Sequence, residues 1–361
     1  MKIVIRAGGI GTRLWPMSRI SNPKQFQKII GSKTMIRTTY ERIAPLVKKP
    51  ENLFISVNQR FDKHILKEIP ELLPENIITE TDTRNTGPAM CLEVCFLEKK
   101  CDPNEIIASI TSDDYISNSK AFRDLLVLAK EFIADNPEYI ITPAIRPQYL
   151  DTGYTYFKAG KSLQNNGREA IYSVANVVEK PNAEYCQELI NSGVYFCHTG
   201  IYLWQLKNII NLFKELHPEM YRICGQVVTA MEKKNYKQAK KLYQHLEKIS
   251  IETAITEKIS KVAMSVSNRI GWSDLGKWHI IKRILKKREA DNLIRGNVIA
   301  NNCGNSLIYA NAKKRIVAVN DVKDLVIVDT EDALFISSMD NSADVKKIVQ
   351  TIGEKGMEEY L

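Results

Sequence analysis

Glycines and cationic residues are concentrated near the start of the chain. The segment Ala7-Gly8-Gly9-Ile10-Gly11-Thr12-Arg13 follows the apolar run Ile3-Val4-Ile5, and Lys24 lies a short distance further on. Three glycines in four residues let the backbone approach a bulky anion and direct its N–H groups toward it. Arg13 and Lys24 add positive charge beside that loop. The combination predicts a phosphate site after a first β-strand, although the glycines alone are also typical of a solvated surface turn.

Two common nucleotide-binding loops are excluded by the residues that follow these glycines. A Walker loop ends in Gly-Lys-Ser/Thr, whereas this chain has Gly11-Thr12-Arg13. The dinucleotide fingerprint requires a third glycine at the position of Leu14. The loop is therefore expected to hold phosphate in another context.

Two aspartates are suited to binding a divalent cation. Asp113 follows the apolar run at residues 106–110, so it stands where a strand ends, and Asp274 lies between Trp272 and Trp278. Magnesium prefers a small number of carboxylates, with phosphate oxygens and waters completing an octahedron. From the residues alone, Asp113 is either a metal ligand or an ordinary turn residue at a strand end.

The longer pattern around the glycines resembles a known family. Residues 7–16, together with Pro23-Lys24-Gln25-Phe26, resemble the signature of the sugar-1-phosphate nucleotidyltransferases, and in particular their mannose-1-phosphate guanylyltransferase branch. Further segments resemble motifs of that family in the same order, at residues 80–89, 178–181, 250–258 and 272–278. The resemblance spans most of residues 1–300.

This resemblance implies attack of a sugar-1-phosphate oxygen on the α-phosphorus of GTP, with pyrophosphate leaving and no covalent enzyme intermediate. It also implies Mg²⁺, with Mn²⁺ as a substitute, shared by Asp113 and Asp274. Arg13 is then expected on the β- and γ-phosphates and Lys24 on the α-phosphate. The positions that match nucleotide-binding residues of the family, with Arg84 and Asn85 beside the guanine, are Ala7, Gly8, Gly9, Gly11, Thr12, Arg13, Arg84, Asn85 and Ser112.

The sugar side of the reaction is expected to use the Glu179-Lys180-Pro181 segment. A carboxylate can accept hydrogen bonds from two sugar hydroxyls, and an adjacent lysine can hold the sugar phosphate. An isolated Glu-Lys-Pro is more often an exposed charge pair at a strand end. By resemblance, the sugar phosphate site comprises Gly153, Tyr154, Glu179, Lys180, His198 and Gly200.

Several positions depart from the family pattern. Arg6 stands where an apolar residue is usual, and Asp114 replaces a histidine after the expected metal aspartate. The segment at residues 146–151 is longer than in the family, and His198-Thr199-Gly200 replaces Asn-Ser-Gly. These differences leave open the same chemistry on another sugar-1-phosphate, such as glucose or heptose 1-phosphate, or on another nucleotide. A non-catalytic regulator that binds sugar nucleotides is a third hypothesis.

The order of elements predicts an α/β fold. Short β-branched runs at residues 3–5, 53–57, 106–110 and 139–142 alternate with helical patterns at residues 34–44, 89–99 and 121–134. This alternation predicts a Rossmann-like, mostly parallel sheet, and the resemblance implies the glycosyltransferase-A-like variant of that sheet. Ligands are expected at the carboxyl ends of its strands. Residues 205–265 are predicted to be largely helical, with a periodic segment at residues 236–249.

The pattern of the sequence changes near residue 291, from alternating strand and helix patterns to β-type runs alone. Short β-type runs separated by Asn, Gly and Asp turns predict a small C-terminal all-β domain. The family implies that this domain is β-helix-like, although clean hexapeptide periodicity is absent. We therefore expect a nucleotidyltransferase catalytic domain at residues 1–290 and a β-rich domain at residues 291–361, the latter a potential oligomerisation element that makes a homodimer plausible.

Composition narrows the class of protein. The chain has 361 residues, a formal net charge of +9 and seven cysteines without a Cys-x-x-Cys pair. An odd number of cysteines argues against a disulfide framework and is expected for reduced core thiols in a cytoplasmic protein. Neither a membrane-spanning segment nor a signal peptide is expected. Basic stretches such as Lys286-Lys287-Arg288 are typical of solvated helix faces, so no nucleic-acid partner is predicted.

Overall fold

The computed structural model describes the whole chain except Ile10, Asn166, Arg168, Lys287, Glu289 and Lys313. The chain divides into two compact units. The sheet unit comprises Met1–Gly8, Thr39–Ser112 and Ile116–Trp272, and the C-terminal unit comprises Gly9–Thr38, Asp113–Tyr115 and Ser273–Leu361. The division falls within the glycine loop, between Gly8 and Gly9.

Strands and helices alternate through most of the described residues. In chain order the strands are β1 (Lys2–Ala7), β2 (Leu53–Asn58), β3 (Ile77–Glu80), β4 (Ile106–Thr111), β5 (Asp114–Ile116), β6 (Ile140–Ile145), β7 (Thr155–Asn165), β8 (Ala170–Glu179), β9 (Tyr195–His198), β10 (Tyr202–Gln205), β11 (Val262–Val266), β12 (Trp272–Asp274), β13 (Leu293–Arg295), β14 (Val298–Asn301), β15 (Leu307–Ala310), β16 (Val317–Asn320), β17 (Leu325–Asp329) and β18 (Leu334–Ser338). The helices are α1 (Met35–Ile43), α2 (Asp62–Glu68), α3 (Thr86–Glu98), α4 (Ser119–Asp135), α5 (Ala183–Ser192), α6 (Leu206–Leu216), α7 (Pro218–Glu232), α8 (Tyr236–Tyr243), α9 (Trp278–Leu285) and α10 (Val345–Glu354).

The sheet unit is organised around a ten-stranded sheet of described residues, in the order β11-β8-β7-β9-β6-β10-β4-β1-β2-β3. Strands β3, β2, β1 and β4 are parallel, and their apolar residues are buried, as is typical of strands covered on both faces. The strands from β10 to β8 pair mainly antiparallel, and β11 also pairs parallel with β6. The predicted α/β class is confirmed, but the sheet is mixed rather than mostly parallel.

The helical predictions are correct for three long helices, but they extend too far between residues 205 and 265. The patterns at residues 34–44, 89–99 and 121–134 correspond to α1, α3 and α4. The periodic segment at residues 236–249 forms a helix only as far as Tyr243, and β11 interrupts the region predicted to be largely helical at Val262. The remainder of that segment, residues 244–249, is a turn followed by irregular backbone. Leu246 is nevertheless buried in the core, and Ile249 packs against it.

The C-terminal strands coil rather than form a flat sheet. Strand β16 pairs parallel with β14 and β17 with β15, each with an offset of nineteen residues. Asparagine and aspartate side chains hydrogen-bond across this same offset, as in Asn301 with Asn320 at 2.7 Å. The nineteen-residue repeat explains why a six-residue period is absent. The domain is not all-β as predicted, since it ends in the amphipathic helix α10.

The core of the C-terminal unit holds the phosphate loop against the C-terminal strands. Leu14 and Trp15 are buried with Leu275, Trp278 and residues of β17. The indole N–H of Trp278 donates to the carbonyl of Trp15 at 3.3 Å. This packing fixes the residues that directly follow Arg13 and Asp274. No helix in the described part of the chain is long and apolar enough to cross a membrane.

Candidate functional site

The glycine loop turns tightly at Gly11 in the C-terminal unit. Gly11 has a φ of 72°, and a Cβ atom there would lie 2.5 Å from the Cβ of Lys24. A side chain at this position would be strained by both the backbone conformation and the contact. Residues Thr12–Leu14 then form a single helical turn that presents Arg13, while Leu14 is buried. The loop therefore brings Arg13 and Lys24 to the same side of the turn.

Lys24 is the centre of a compact group of charges. Its side chain is 3% exposed, and its Nζ lies 2.9 Å from Oδ2 of Asp113 and 3.2 Å from Oδ1 of Asp274. Arg13 approaches the other oxygen of Asp274 at 3.6 Å. Gly276 is required beside them, since a Cβ atom there would lie 2.7 Å from Oδ2 of Asp274. The structure thus brings together the four residues predicted to be catalytic, which we call the phosphate cluster.

The charges of the phosphate cluster stabilise one another. Burial alone would lower the pKa of Lys24, but the carboxylates of Asp113, Asp274 and Asp114 raise it well above its ordinary value. Burial would likewise raise the pKa of Asp274, whereas Lys24 and Arg13 lower it below its usual range. Asp114, which departs from the family pattern, therefore reinforces the charge of Lys24. Lys24 is therefore cationic and Asp274 anionic near neutral pH.

The oxygens of Asp113 and Asp274 suit a divalent cation because both already face one cationic atom. Asp113 is 36% exposed and Asp274 21% exposed, so ligand oxygens and water can reach them. Among the described residues, no group of three or more His, Cys, Asp and Glu side chains could hold a metal ion. The pair fits an ion that takes its remaining ligands from phosphate and water.

The remaining nucleotide-binding candidates lie in the sheet unit, apart from Gly9 and Thr12. Ala7 ends β1 and Ser112 follows the neighbouring parallel strand β4, with the N–H of Ser112 donating to the carbonyl of Arg6 at 3.1 Å. Gly8 directly follows Ala7. These residues therefore meet at the carboxyl edge of the sheet, where open α/β sheets bind ligands.

Arg84 and Asn85 have structural partners at the start of α3. A terminal nitrogen of Arg84 lies 3.0 Å from a carboxylate oxygen of Asp82. Asn85 has a φ of 69°, and its side chain accepts a hydrogen bond from the N–H of Thr86 at 2.8 Å. Asn85 therefore caps α3.

Arg6 finds hydrogen-bond acceptors inside the sheet unit. Its guanidinium donates to Oγ of Ser109 at 2.6 Å and to the carbonyl of Gly200, and Ser109 donates to Glu93 at 2.8 Å. Two buried carboxyls share this region. Burial and Glu93 raise the pKa of Glu80 to about 7, and burial raises the pKa of Glu93 despite the nearby Arg6. Arg6 is thus the cation of a buried acidic network.

The sugar-side carboxylate Glu179 ends β8 and is held by neighbouring side chains. Hydroxyls of Ser250 and Thr253 donate to its Oε2 at 3.4 Å, and Lys180 pairs with its Oε1. The N–H of Lys180 donates to the carbonyl of Tyr154 at 3.1 Å. Tyr154 and the Glu179–Lys180 pair are therefore neighbours.

The longer segment before Gly153 supports these residues. Asp151 is buried, and its carboxylate accepts a hydrogen bond from the N–H of Gly153 at 2.9 Å. The hydroxyls of Tyr149 and Tyr154 lie 3.2 Å apart. The insertion therefore fixes the turn before Tyr154.

His198 is enclosed in an aromatic stack. It is 7% exposed, and its ring lies parallel to that of Phe157 with 4.9 Å between centroids. Its Nδ1 lies 3.6 Å from Glu252, which also accepts from the hydroxyl of Tyr202 at 2.7 Å. Burial lowers the pKa of His198 to about 4, although Glu252 opposes this effect. The imidazole is neutral at pH 7, and its Nε2 is buried without a hydrogen-bond partner among the described residues.

Sequence reasoning missed several carboxylates of the sheet unit. Glu80, Glu93, Asp151 and Glu252 were not assigned roles, although Glu80 and Glu252 lie within segments that carry the family resemblance. Glu80, Glu93 and Asp151 are distinguished by their burial and Glu252 by its contact with His198, and only the two motif positions could have been identified from sequence.

Comparison with known proteins agrees with this arrangement. A family model described as Nucleotidyl transferase matches residues 2–290, and one described as MannoseP isomerase/GMP-like beta-helix domain matches residues 296–352. The latter accounts for the coiled C-terminal strands.

Individual relatives match over almost the whole chain. Mannose-1-phosphate guanylyltransferase RfbM of Salmonella typhimurium is 31% identical over 99% of this chain and 73% of its own length, and a mannose-1-phosphate guanylyltransferase of Salmonella muenchen is 32% identical over 99% and 74%. A solved structure from Thermus thermophilus, described as mannose-1-phosphate geranyltransferase, is 25% identical with a TM-score of 0.85, covering 98% of this chain and 99% of that one. The chain therefore belongs to the nucleotidyltransferase family, within its mannose-1-phosphate guanylyltransferase branch, and the predicted resemblance is confirmed.

Proposed function

We propose that this protein makes GDP-mannose and pyrophosphate from GTP and mannose-1-phosphate. The observation that carries the proposal is the phosphate cluster, in which Arg13 and Lys24 meet Asp113 and Asp274 directly after a glycine loop. The names of the relatives that match nearly the whole chain support the same substrates.

The reaction is an in-line displacement. An oxygen of the sugar phosphate forms a bond to the α-phosphorus of GTP while the bond between that phosphorus and the β-phosphate oxygen breaks, and pyrophosphate leaves. Arg13 binds the β- and γ-phosphates, and Lys24 binds the α-phosphate, where negative charge accumulates in the transition state. Both cations already lie in one cluster, so binding of the phosphates exchanges their carboxylate partners for phosphate oxygens.

Asp113 and Asp274 would hold Mg²⁺, with Mn²⁺ as a substitute. The ion would supply charge neutralisation at the phosphate oxygens. The support is the convergence of one oxygen of each aspartate on the ammonium of Lys24. Lys24 leaves these oxygens as it turns to the α-phosphate.

The other nucleotide contacts are assigned to the loop and the carboxyl edge of the sheet. Backbone N–H groups of the loop face the phosphates, and Arg84 and Asn85 lie beside the guanine. The residues of this site are Ala7, Gly8, Gly9, Gly11, Thr12, Arg13, Arg84, Asn85 and Ser112.

The sugar phosphate is assigned to the residues around Glu179. Glu179 accepts hydrogen bonds from sugar hydroxyls, and Lys180, whose side chain is largely exposed, binds the phosphate. Gly153, Tyr154 and Gly200 complete the hexose contacts. His198 has an indirect role. Its ring is buried and stacked on Phe157, so it shapes the sugar site rather than contacting the sugar.

His198 and the inserted Asp151 also favour a second candidate, the same reaction on a different sugar-1-phosphate. Both residues lie in segments that depart from the family. The phosphate cluster would serve any sugar-1-phosphate.

Three further properties belong to this proposal. Residues 1–290 form the catalytic domain and residues 291–361 a β-rich domain that joins two chains in a homodimer. The support for the dimer is a groove lined by β16–β18, with Ile316, Leu334 and Ile336 exposed. The seven unpaired cysteines support a cytoplasmic location.

The test is pyrophosphate release with Mg²⁺, measured for GTP, ATP, dTTP, UTP and CTP against mannose-1-phosphate, glucose-1-phosphate and heptose 1-phosphate. GTP with mannose-1-phosphate is expected to be the best pair. Asp274→Asn should lower turnover by about 10²–10³-fold, while Asp135→Asn, at an exposed carboxylate that ends α4, should leave it unchanged. A different best pair would reassign the substrate, and no release with any pair from folded protein would reject the proposal.

A further inference from the structure

A second strongly cationic cavity lies within the C-terminal unit. Its volume is about 550 Å³, within the range of small-molecule sites. None of its residues belongs to the phosphate cluster or to the proposed sugar site. We call it the basic cavity, and it is lined by His279, Lys282, Arg283, Lys286, Arg288, Asn305, Met339 and Asp340.

The helix α9 supplies the basic wall. His279, Lys282, Arg283 and Lys286 follow one another at spacings of three, four and seven residues from the first, which places them along one stripe of the helix and its end. A neighbouring stripe that includes Trp278 is buried in the core. The position of the cationic side chains is therefore set by helix packing. Sequence analysis assigned Lys286 and Arg288 to a solvated helix face. In the structure they line the basic cavity.

The C-terminal strands and the turns after them supply the opposite wall. Lys282 is 4% exposed, and its ammonium donates to the amide oxygen of Asn305. Nδ1 of His279 lies 3.3 Å from the hydroxyl of Ser342. These contacts hold two of the cationic or ionisable side chains in place. A ligand would therefore meet at least two fixed side chains in this cavity.

The charge of the lining defines the kind of ligand. Among the described residues, the lining includes two lysines, two arginines and one carboxylate, that of Asp340, so the formal charge of these five groups is +3. A phosphate monoester carries about −1.5 to −2 charges at pH 7, and a diphosphate group carries more. Arginine forks bind phosphate oxygens in pairs. Asn305 offers a polar contact, and Met339 an apolar contact, for the part of the ligand that is not phosphate.

We propose that the basic cavity binds a small molecule that carries a diphosphate group, at a site different from the one that holds the substrate phosphates. A volume of about 550 Å³ matches a small molecule. Because α9 begins just after the Asp274 segment and Trp278 donates to the carbonyl of Trp15, occupation of the cavity is expected to alter turnover.

The test counts pyrophosphate ions bound to the full chain by equilibrium dialysis without divalent metal. Without a divalent cation the carboxylates of the phosphate cluster repel pyrophosphate, so the wild type is expected to bind one ion per chain, in the basic cavity, and Arg283→Glu with Lys286→Glu should bind none. Lys346→Glu with Lys355→Glu, which makes the same charge change at exposed positions outside the cavity lining, should still bind one. Where the glutamates prevent folding, Arg283→Gln with Lys286→Gln should weaken binding by at least tenfold.

Inorganic phosphate, GDP and GDP-mannose as competitors identify the source of the diphosphate. Displacement of pyrophosphate by GDP or GDP-mannose, but not by inorganic phosphate at the same concentration, supports the inference. Equal pyrophosphate binding by the wild type and the cavity variant overturns it, as does equal competition by phosphate. Turnover without added ligand is measured in parallel. Absence of turnover in every protein, with the cavity site intact, would reject only the proposed function.

Discussion

Removal of the Lys24 ammonium provides the sharpest test of the phosphate cluster. In Lys24→Met the side chain keeps a similar length but loses its charge, so Asp113 and Asp274 lose the cation that lies 2.9 and 3.2 Å from their oxygens. Breaking a buried ion pair costs about 3–5 kcal/mol. The two carboxylates are 36% and 21% exposed, so water screens part of this cost. We therefore expect the free energy of unfolding to fall by about 2–3 kcal/mol.

The same variant should bind a divalent cation more tightly in the absence of nucleotide. In the wild type the ammonium competes with the ion for the two carboxylates, and in Lys24→Met that competition is gone. Bound Mg²⁺ at about 100 times its Kd stabilises the folded state by about 2.7 kcal/mol. Magnesium should therefore restore most of the lost stability. Turnover should remain about 10²–10³-fold below that of the wild type, since Mg²⁺ does not replace the contact of Lys24 with the α-phosphate.

The assay is urea unfolding with and without 10 mM Mg²⁺ (about 100 times an assumed Kd of ~0.1 mM), together with initial rates of pyrophosphate release. Lys282→Met is the matched control, because it removes another buried lysine of the same unit, one that donates to Asn305. The control should lose stability that Mg²⁺ does not return. Equal effects of Mg²⁺ on both variants, or near-normal turnover in Lys24→Met, would refute this account of the cluster.

Three further changes test other parts of the structure. The pKa of Glu80 rises from 4.5 to about 7 on folding, so the wild type loses about 3 kcal/mol of stability as pH increases through that interval; Glu80→Gln should be the more stable protein at pH 8 and similar at pH 4.5 in urea titrations, and parallel curves would contradict this. Gly276→Ala should reduce kcat/KM by about 10–100-fold with little change in unfolding, because its Cβ meets Asp274 and Arg13; unchanged kinetics would be inconsistent with the contact. Ile336→Lys should convert a dimer to monomers in sedimentation equilibrium, and an unaltered mass would exclude this groove as the interface.

The four residues that the structure brings together in the phosphate cluster could be selected from the sequence because each is marked locally. Gly11 precedes Arg13 closely, and Asp113 follows an apolar strand at the edge where ligands bind. Asp274 was predicted through its motif and its chemistry. What could not be predicted is that Lys24 lies between the two carboxylates, since that contact joins residues 250 positions apart.

The partners of Arg6 were beyond sequence reasoning for a topological reason. Ser109 lies two residues before the one opposite Arg6 in the β1–β4 register, and Gly200 precedes β10, which pairs with β4. Only the strand order identifies these neighbours. The same limit explains the sheet: the apolar runs indicated strands, but their direction depends on connections such as the β7–β8 hairpin, which the alternation of elements does not encode.

The phosphate cluster pairs its own charges, and this pairing has a consequence for binding. Arg13 and Lys24 are matched by Asp113 and Asp274, so the four groups have no net charge. A triphosphate alone would attract the cations and be repelled by the carboxylates. A triphosphate that arrives with a divalent cation offers a partner to each, so ion pairs are exchanged rather than broken. Nucleotide affinity should therefore depend steeply on Mg²⁺ in the wild type and less steeply in Asp274→Asn, where one repulsive carboxylate is absent.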